Sequence, residues 1–161
     1  MQQTLFALCA LSLALFLSLN QQQAQNQVEA KLDRAAVRQL AVTRATDVLD
    51  ALEAYAFDAQ TDVGIVSDAA MLTPAPFPMG RPFASATDLD DLHGMQTLRD
   101  SVATEQGWVP LSIDAAVMYV DKVGSDYVPA ASPTFTKQVT LVVRGPLDVR
   151  TEISRVYGYT Y

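Results

Sequence analysis

The sequence predicts an α+β fold in which one long N-terminal helix, apolar in its first half and amphipathic in its second, packs against a small C-terminal antiparallel sheet. Three observations predict it. Residues 1–63 contain neither proline nor glycine, the two residues that most readily end a helix. Within that stretch the apolar side chains pass from an unbroken run to recurrence at steps of four and three, the spacing of one helix face. Every proline and glycine lies beyond it, among short segments where apolar and polar residues alternate as in strands.

The first element opens with TLFALCALSLALFLSL at 4–19, followed by the uncharged polar run NQQQAQNQ; no side-chain charge occurs before Glu29. A continuous helix from Gln3 to Phe57 would be roughly 85 Å long at about 1.5 Å per residue. No 161-residue chain can bury such a helix inside its own core, so the apolar end needs lipid or copies of itself. The residues predicted to face such copies are Met1, Leu5, Phe6, Leu8, Leu11, Leu13, Leu15, Phe16, Leu17 and Leu19.

Three readings of this run compete. A cleaved secretory signal would carry a basic start and an A-x-A site, and neither is present, so the run reads as retained. A plain membrane anchor would span only marginally, because sixteen residues rise about 24 Å against a hydrocarbon core of about 30 Å. The third reading is a subunit held in the bilayer and then withdrawn into a helical polymer. Ala7, Ala10, Ser12, Ala14 and Ser18, interspersed among Leu and Phe, favour it by allowing close helix approach.

In the amphipathic half Val37, Ala41, Ala45, Val48, Leu52 and Tyr55 form one stripe, the predicted contact with the sheet. Arg38, Arg44, Asp47, Asp50 and Glu53 lie off it, as a solvated or subunit-facing surface. Three strand patterns are predicted, around 111–119, 135–143 and 149–159, with turns at 124–133 and Gly145-Pro146 giving an antiparallel meander. The expected organisation is therefore a helix over 1–57 (polymerisation segment 1–27, amphipathic segment 28–57), a loop region with a short helical turn over 58–110, and a sheet over 111–161. Phe77 and Met79, in the proline-rich part of the loop, read as residues that pin it down.

The net charge of −7 falls mostly beyond Phe57, and no basic cluster interrupts it, which argues against nucleic-acid binding. The single cysteine, Cys9, excludes an intrachain disulfide and any CxxC metal pattern. The densest set of functional groups is Thr87-Asp88-Leu89-Asp90-Asp91-Leu92-His93-Gly94. Asp88, Asp90 and Asp91 are hard oxygen donors suited to calcium, but EF-hand spacing and its closing Glu are absent. The same residues read as a helical turn capped from Thr87 and ended by Gly94. No GxSxG, HExxH or phosphate-binding glycine loop accompanies His93, so neither an enzyme nor a cofactor is expected. Trp108 with Tyr157, Tyr159 and Tyr161 fits either an aromatic binding surface or ordinary packing.

Taken together, an apolar helix running into an amphipathic one, a loop and a small antiparallel sheet resemble a type IV pilin or pseudopilin. The run Gln3-Thr4-Leu5-Phe6-Ala7-Leu8 resembles the start of such proteins after leader removal. Val117-Met118-Tyr119-Val120-Asp121 and Lys137-Gln138-Val139-Thr140-Leu141-Val142 resemble their paired strands. Leu5 departs from the pattern, which has glutamate at the fifth mature position; a helix-breaking residue in the apolar half and a disulfide-bounded loop are missing too. The resemblance implies a structural subunit that forms a helical homopolymer, an extracellular type IV pilus-like filament on the cell surface. It further implies cleavage by a prepilin peptidase with Met1 as the new amino terminus, residence in the inner-membrane bilayer before assembly, and inner-membrane assembly machinery. The alternatives are a minor pseudopilin of a secretion or uptake system and a monomeric membrane-anchored binding module.

Overall fold

A computed structural model describes residues 2–78, 80–95, 98–104 and 107–160; the side chains of 2–10, 12 and 14 lie outside the described residues. The chain divides into two compact units, Met1–Ala36 and Val37–Tyr161.

Helix α1 runs from Gln2 to Ala51 and tightens into a 3₁₀ turn over Leu52–Ala54. Its residues 2–36 make up the first unit. Leu11, Leu13, Leu15, Phe16, Leu17 and Leu19 are there 58–63 % exposed. Of the remaining residues predicted to face other copies, Met1 lies outside the described residues, as do the side chains of Leu5, Phe6 and Leu8.

The second unit is a helix on a sheet. Strands β1 (Leu98–Thr104), β2 (Gly107–Val123), β4 (Thr136–Arg144) and β5 (Arg150–Gly158) lie side by side in that order, all neighbours antiparallel. The short β3 (Asp126–Pro129) pairs with the end of β2. One face is apolar because Leu111, Ile113, Ala115, Val117 and Tyr119 alternate along β2 in register with Val139, Leu141 and Val143 of β4. Val37, Ala41, Ala45, Val48, Leu49 and Leu52 cover that face from the helix. Ala41 and Ala45 have no exposed surface, so both are fully enclosed where the helix meets the sheet. This is the pilin-like α+β arrangement that the sequence predicts.

The charges off the apolar stripe take part in the packing. Arg44 pairs with Asp100 of β1, and Arg155 of β5 reaches Asp50 at 2.7 Å and Glu53 at 3.0 Å, so helix and sheet edges are also tied electrostatically.

Two details differ from expectation, the end of the helix and the number of strands. The α-helix stops at Ala51 instead of Phe57, because Ala56 is drawn into a backbone bridge with Asp88: its N–H donates to Thr87 O and its carbonyl accepts from Leu89 N. The sheet has five strands, β1 and β3 having escaped the alternation pattern, and β2 begins at Gly107. The β4–β5 turn is closed by Val149 N–H donating to Pro146 O, with positive φ at Leu147 (58°) and Asp148 (55°). Phe77 is buried as expected of a pinning residue, whereas Met79 lies outside the described residues.

The expected location does not stand. Among the described residues no helix is long and apolar enough to cross a membrane. A span needs about 20 consecutive apolar residues, and here the apolar run of sixteen gives way to a glutamine-rich segment. The inner-membrane stage before assembly, and the placement as a surface filament that depended on it, are therefore withdrawn.

Candidate functional site

Lys137 stands in β4 at the position that continues the inward series Val139, Leu141, Val143. Period-two alternation sends its side chain into the core, where it has no exposed surface. Its strand neighbours are Tyr119 on β2 and Tyr157 on β5. The Nζ atom is enclosed by three aromatic rings, those of Phe57, Tyr119 and Phe77, with centroids at 4.5, 5.0 and 5.3 Å. It donates to Phe57 O at 2.7 Å and contacts two carboxylates, Asp58 Oδ2 at 2.9 Å and Asp90 Oδ1 at 2.5 Å.

The two aspartates reach this point by different local logic. Asp58 is the N-cap of helix α2 (Ala59–Val63): its Oδ1 accepts from Gln60 N, while Thr61 Oγ1 accepts from Asp58 N, closing a capping box. It also accepts from Thr73 N at 3.0 Å and Thr73 Oγ1 at 3.1 Å, and the Tyr119 hydroxyl lies 3.2 Å from Oδ2. Burial would raise its pKa, but the Gln60 N–H and the Lys137 ammonium outweigh burial and hold the carboxyl well below the usual range.

Asp90 opens a 3₁₀ turn (Asp90–Leu92) and is nearly as buried, with Lys137 and the Asp58 carboxylate as its neighbours. Beyond the ion contact with Lys137 neither of its carboxyl oxygens has a hydrogen-bond partner. Burial pushes its pKa up to about 7; Lys137 opposes the rise and the Asp58 charge adds to it. The core thus holds an ammonium, an ionised carboxylate and, in mild acid, a largely uncharged carboxylic acid. Burial of Asp90 and the donors held by Asp58 set the two carboxyls apart, and their like charges add to the difference.

The three candidate oxygen donors, Asp88, Asp90 and Asp91, turn to different partners. Asp88 Oδ1 is spent on the N–H groups of Asp90 and Asp91, so Asp88 is the residue that caps the turn, not Thr87. Asp90 points inward to Lys137. Asp91 turns to Arg81 at 3.3 Å and accepts from Thr87 N and Oγ1. Among the described residues no group of three or more His, Cys, Asp or Glu side chains is placed to hold a metal ion. Nδ1 of His93 sits against the Val117 backbone, 2.8 Å from its carbonyl oxygen. The aromatic residues separate as well. Tyr157 donates to Leu49 O, Tyr159 packs on Phe57 and Phe135, Trp108 is exposed, and Tyr161 lies outside the described residues.

The sequence marks Lys137 and Tyr119 as strand residues and gives no site role to them or to Asp58, yet one signal is present: a lysine in phase with Val139, Leu141 and Val143 on a strand whose other face carries Thr136, Gln138 and Thr140. Because the amine is sealed from solvent, no external substrate reaches it in this conformation. Comparison with protein-family models, with curated proteins and with solved structures gives no match for this chain.

Proposed function

We propose that this chain is a non-catalytic, pseudopilin-like subunit, a minor component of a secretion or uptake system, which enters its assembly through the segment 1–27. The observation that carries this reading is the set Leu11, Leu13, Leu15, Phe16, Leu17 and Leu19, exposed on a helix whose later turns belong to a well-packed α+β unit. Burying six such side chains against water is worth on the order of 10 kcal/mol, a driving force for packing on the apolar helices of other subunits. Small residues within the run allow close approach. Leu5 stands where the resemblance calls for glutamate, so the sequence offers no carboxylate at that position for an ion pair.

Analytical ultracentrifugation of the full chain in aqueous buffer tests the reading. The wild-type chain should sediment as an oligomer, and the double variant Leu13→Asp, Phe16→Asp should sediment as a monomer with an unchanged sheet signal in circular dichroism. A wild-type chain that stays monomeric at every concentration reached refutes the proposal.

A further inference from the structure

We propose that Lys137 and Asp90 join covalently, Nζ to Cγ, in an intramolecular isopeptide bond, with Asp58 as the proton acceptor. Three observations point to it: the sealed position of the amine, its contact with both carboxyl groups, and the different hydrogen bonding of the two aspartates.

Nζ lies 2.5 Å from Asp90 Oδ1, and the carboxyl carbon is one C–O bond of roughly 1.2 Å behind that oxygen. That puts the reacting atoms close to the roughly 3–3.5 Å of near-attack conformers. The fold holds them there: the lysine is fixed by β4, and the acid by the turn that Asp88 caps. Phe57, Phe77 and Tyr119 exclude water, which would otherwise solvate the ammonium and favour the reverse hydrolysis.

The roles of the two aspartates follow from their partners. An ionised carboxylate resists a nucleophile, and Asp58, held by Gln60, Thr73 and Tyr119, is the group kept ionised. Asp90 has no such donors, so it serves as the neutral acid and electrophile. Asp58 Oδ2, 2.9 Å from Nζ, is within reach for proton transfer.

The step balances without an oxidant or a co-reactant. Asp58 takes one proton from the Lys137 ammonium, and the freed lone pair attacks Asp90 Cγ to form the C–N bond. The C–OH bond of the tetrahedral intermediate breaks with its electron pair, and a second nitrogen proton joins the departing hydroxide. The products are a neutral secondary amide, one water and protonated Asp58. The amide spares the core a buried ammonium, which gives the reaction a direction.

The test is the intact mass of the folded, full-length chain, with the same chain kept in denaturant from cell lysis onward as reference. The folded chain should be lighter by one water, trypsin should no longer cleave after Lys137, and fragmentation should show a branched peptide linking Lys137 to Asp90. Asp58→Asn should slow joining after refolding at least tenfold while the circular dichroism spectrum stays native. The proposal is overturned by a folded wild-type chain of full sequence mass, by a water loss that maps to other residues, or by a folded Asp58→Asn variant that joins at the wild-type rate. Should that variant not fold, the wild-type mass and the peptide map decide alone.

Discussion

A buried lysine is tolerable only because opposite charge is buried with it, and the site around Lys137 shows how the balance is kept. One ammonium faces Asp58, ionised, and Asp90, whose pKa of about 7 leaves it largely protonated in mild acid. A pH dependence of stability follows for chains whose intact mass retains the water. Asp90 binds its proton more tightly in the folded state than in the unfolded one, where the pKa is about 4. Its contribution is therefore complete below about pH 4 and is lost as the pH rises towards 7, by at most about 1.4 kcal/mol per unit. Asp88, also raised chiefly by burial, acts in the same direction. Asp58 has the opposite sign: its depressed pKa stabilises the fold above about pH 4, and that contribution fades in stronger acid. Urea unfolding should show a maximum near pH 4 and a decline towards neutrality, and the part of the decline due to Asp90 should be missing from joined chains. A flat or rising profile between pH 4 and 7 in unjoined chains would exclude this account.

At the level of elements, what was legible depended on how local the signal was. The stripe Val37, Ala41, Ala45, Val48, Leu52 marked a helix face because a helix repeats within a few residues, and alternation marked β4 for the same reason. Strand β1 was not legible: its Leu98 and Val102 are only half-buried and are separated by Arg99, Asp100 and Ser101, so the pattern merges with that of a loop. The helix end was misplaced because the cause lies outside the helix, in the bridge from Ala56 to Asp88. Likewise the contact of Lys137 with Asp58 spans 79 positions, and no spacing rule reaches that far. The strap that carries Asp90 is held by another non-local contact. Gly80 N–H donates to His93 O at 2.7 Å, and Arg81 N–H donates to Asp91 O at 2.8 Å. A Cβ at Gly80 would lie 2.5 Å from Asp91 O and 2.7 Å from His93 O, both backbone atoms that cannot swing aside. Gly80→Ala should therefore cost about 1–3 kcal/mol in urea unfolding, as overpacking does, and move the strap relative to Lys137. A substitution without effect on the unfolding midpoint would show that the 80–81 and 91–95 segments part freely.

Across the whole molecule, charge is sorted between the two units. In Met1–Ala36 Lys31 and Arg34 offset Glu29 and Asp33, so the unit with the exposed apolar run has no net side-chain charge, and the entire −7 belongs to Val37–Tyr161. Association through the first unit would therefore be driven by apolar contact, while every added subunit brings another strongly acidic body into the assembly. The attraction is short-ranged and insensitive to salt, whereas the repulsion is long-ranged and screened. Oligomers of the full chain should accordingly grow, not dissociate, when ionic strength is raised from about 10 mM to about 150 mM, which shortens the screening length from about 30 Å to about 8 Å. Lowering the pH towards the isoelectric point of about 4.5 should act in the same direction by removing the net charge itself. Light scattering across a salt series separates this from the contrary case: an assembly held by ion pairs between subunits would shrink as salt is added. Shrinkage would place the contact on the charged faces of the second unit instead of the apolar turns of α1.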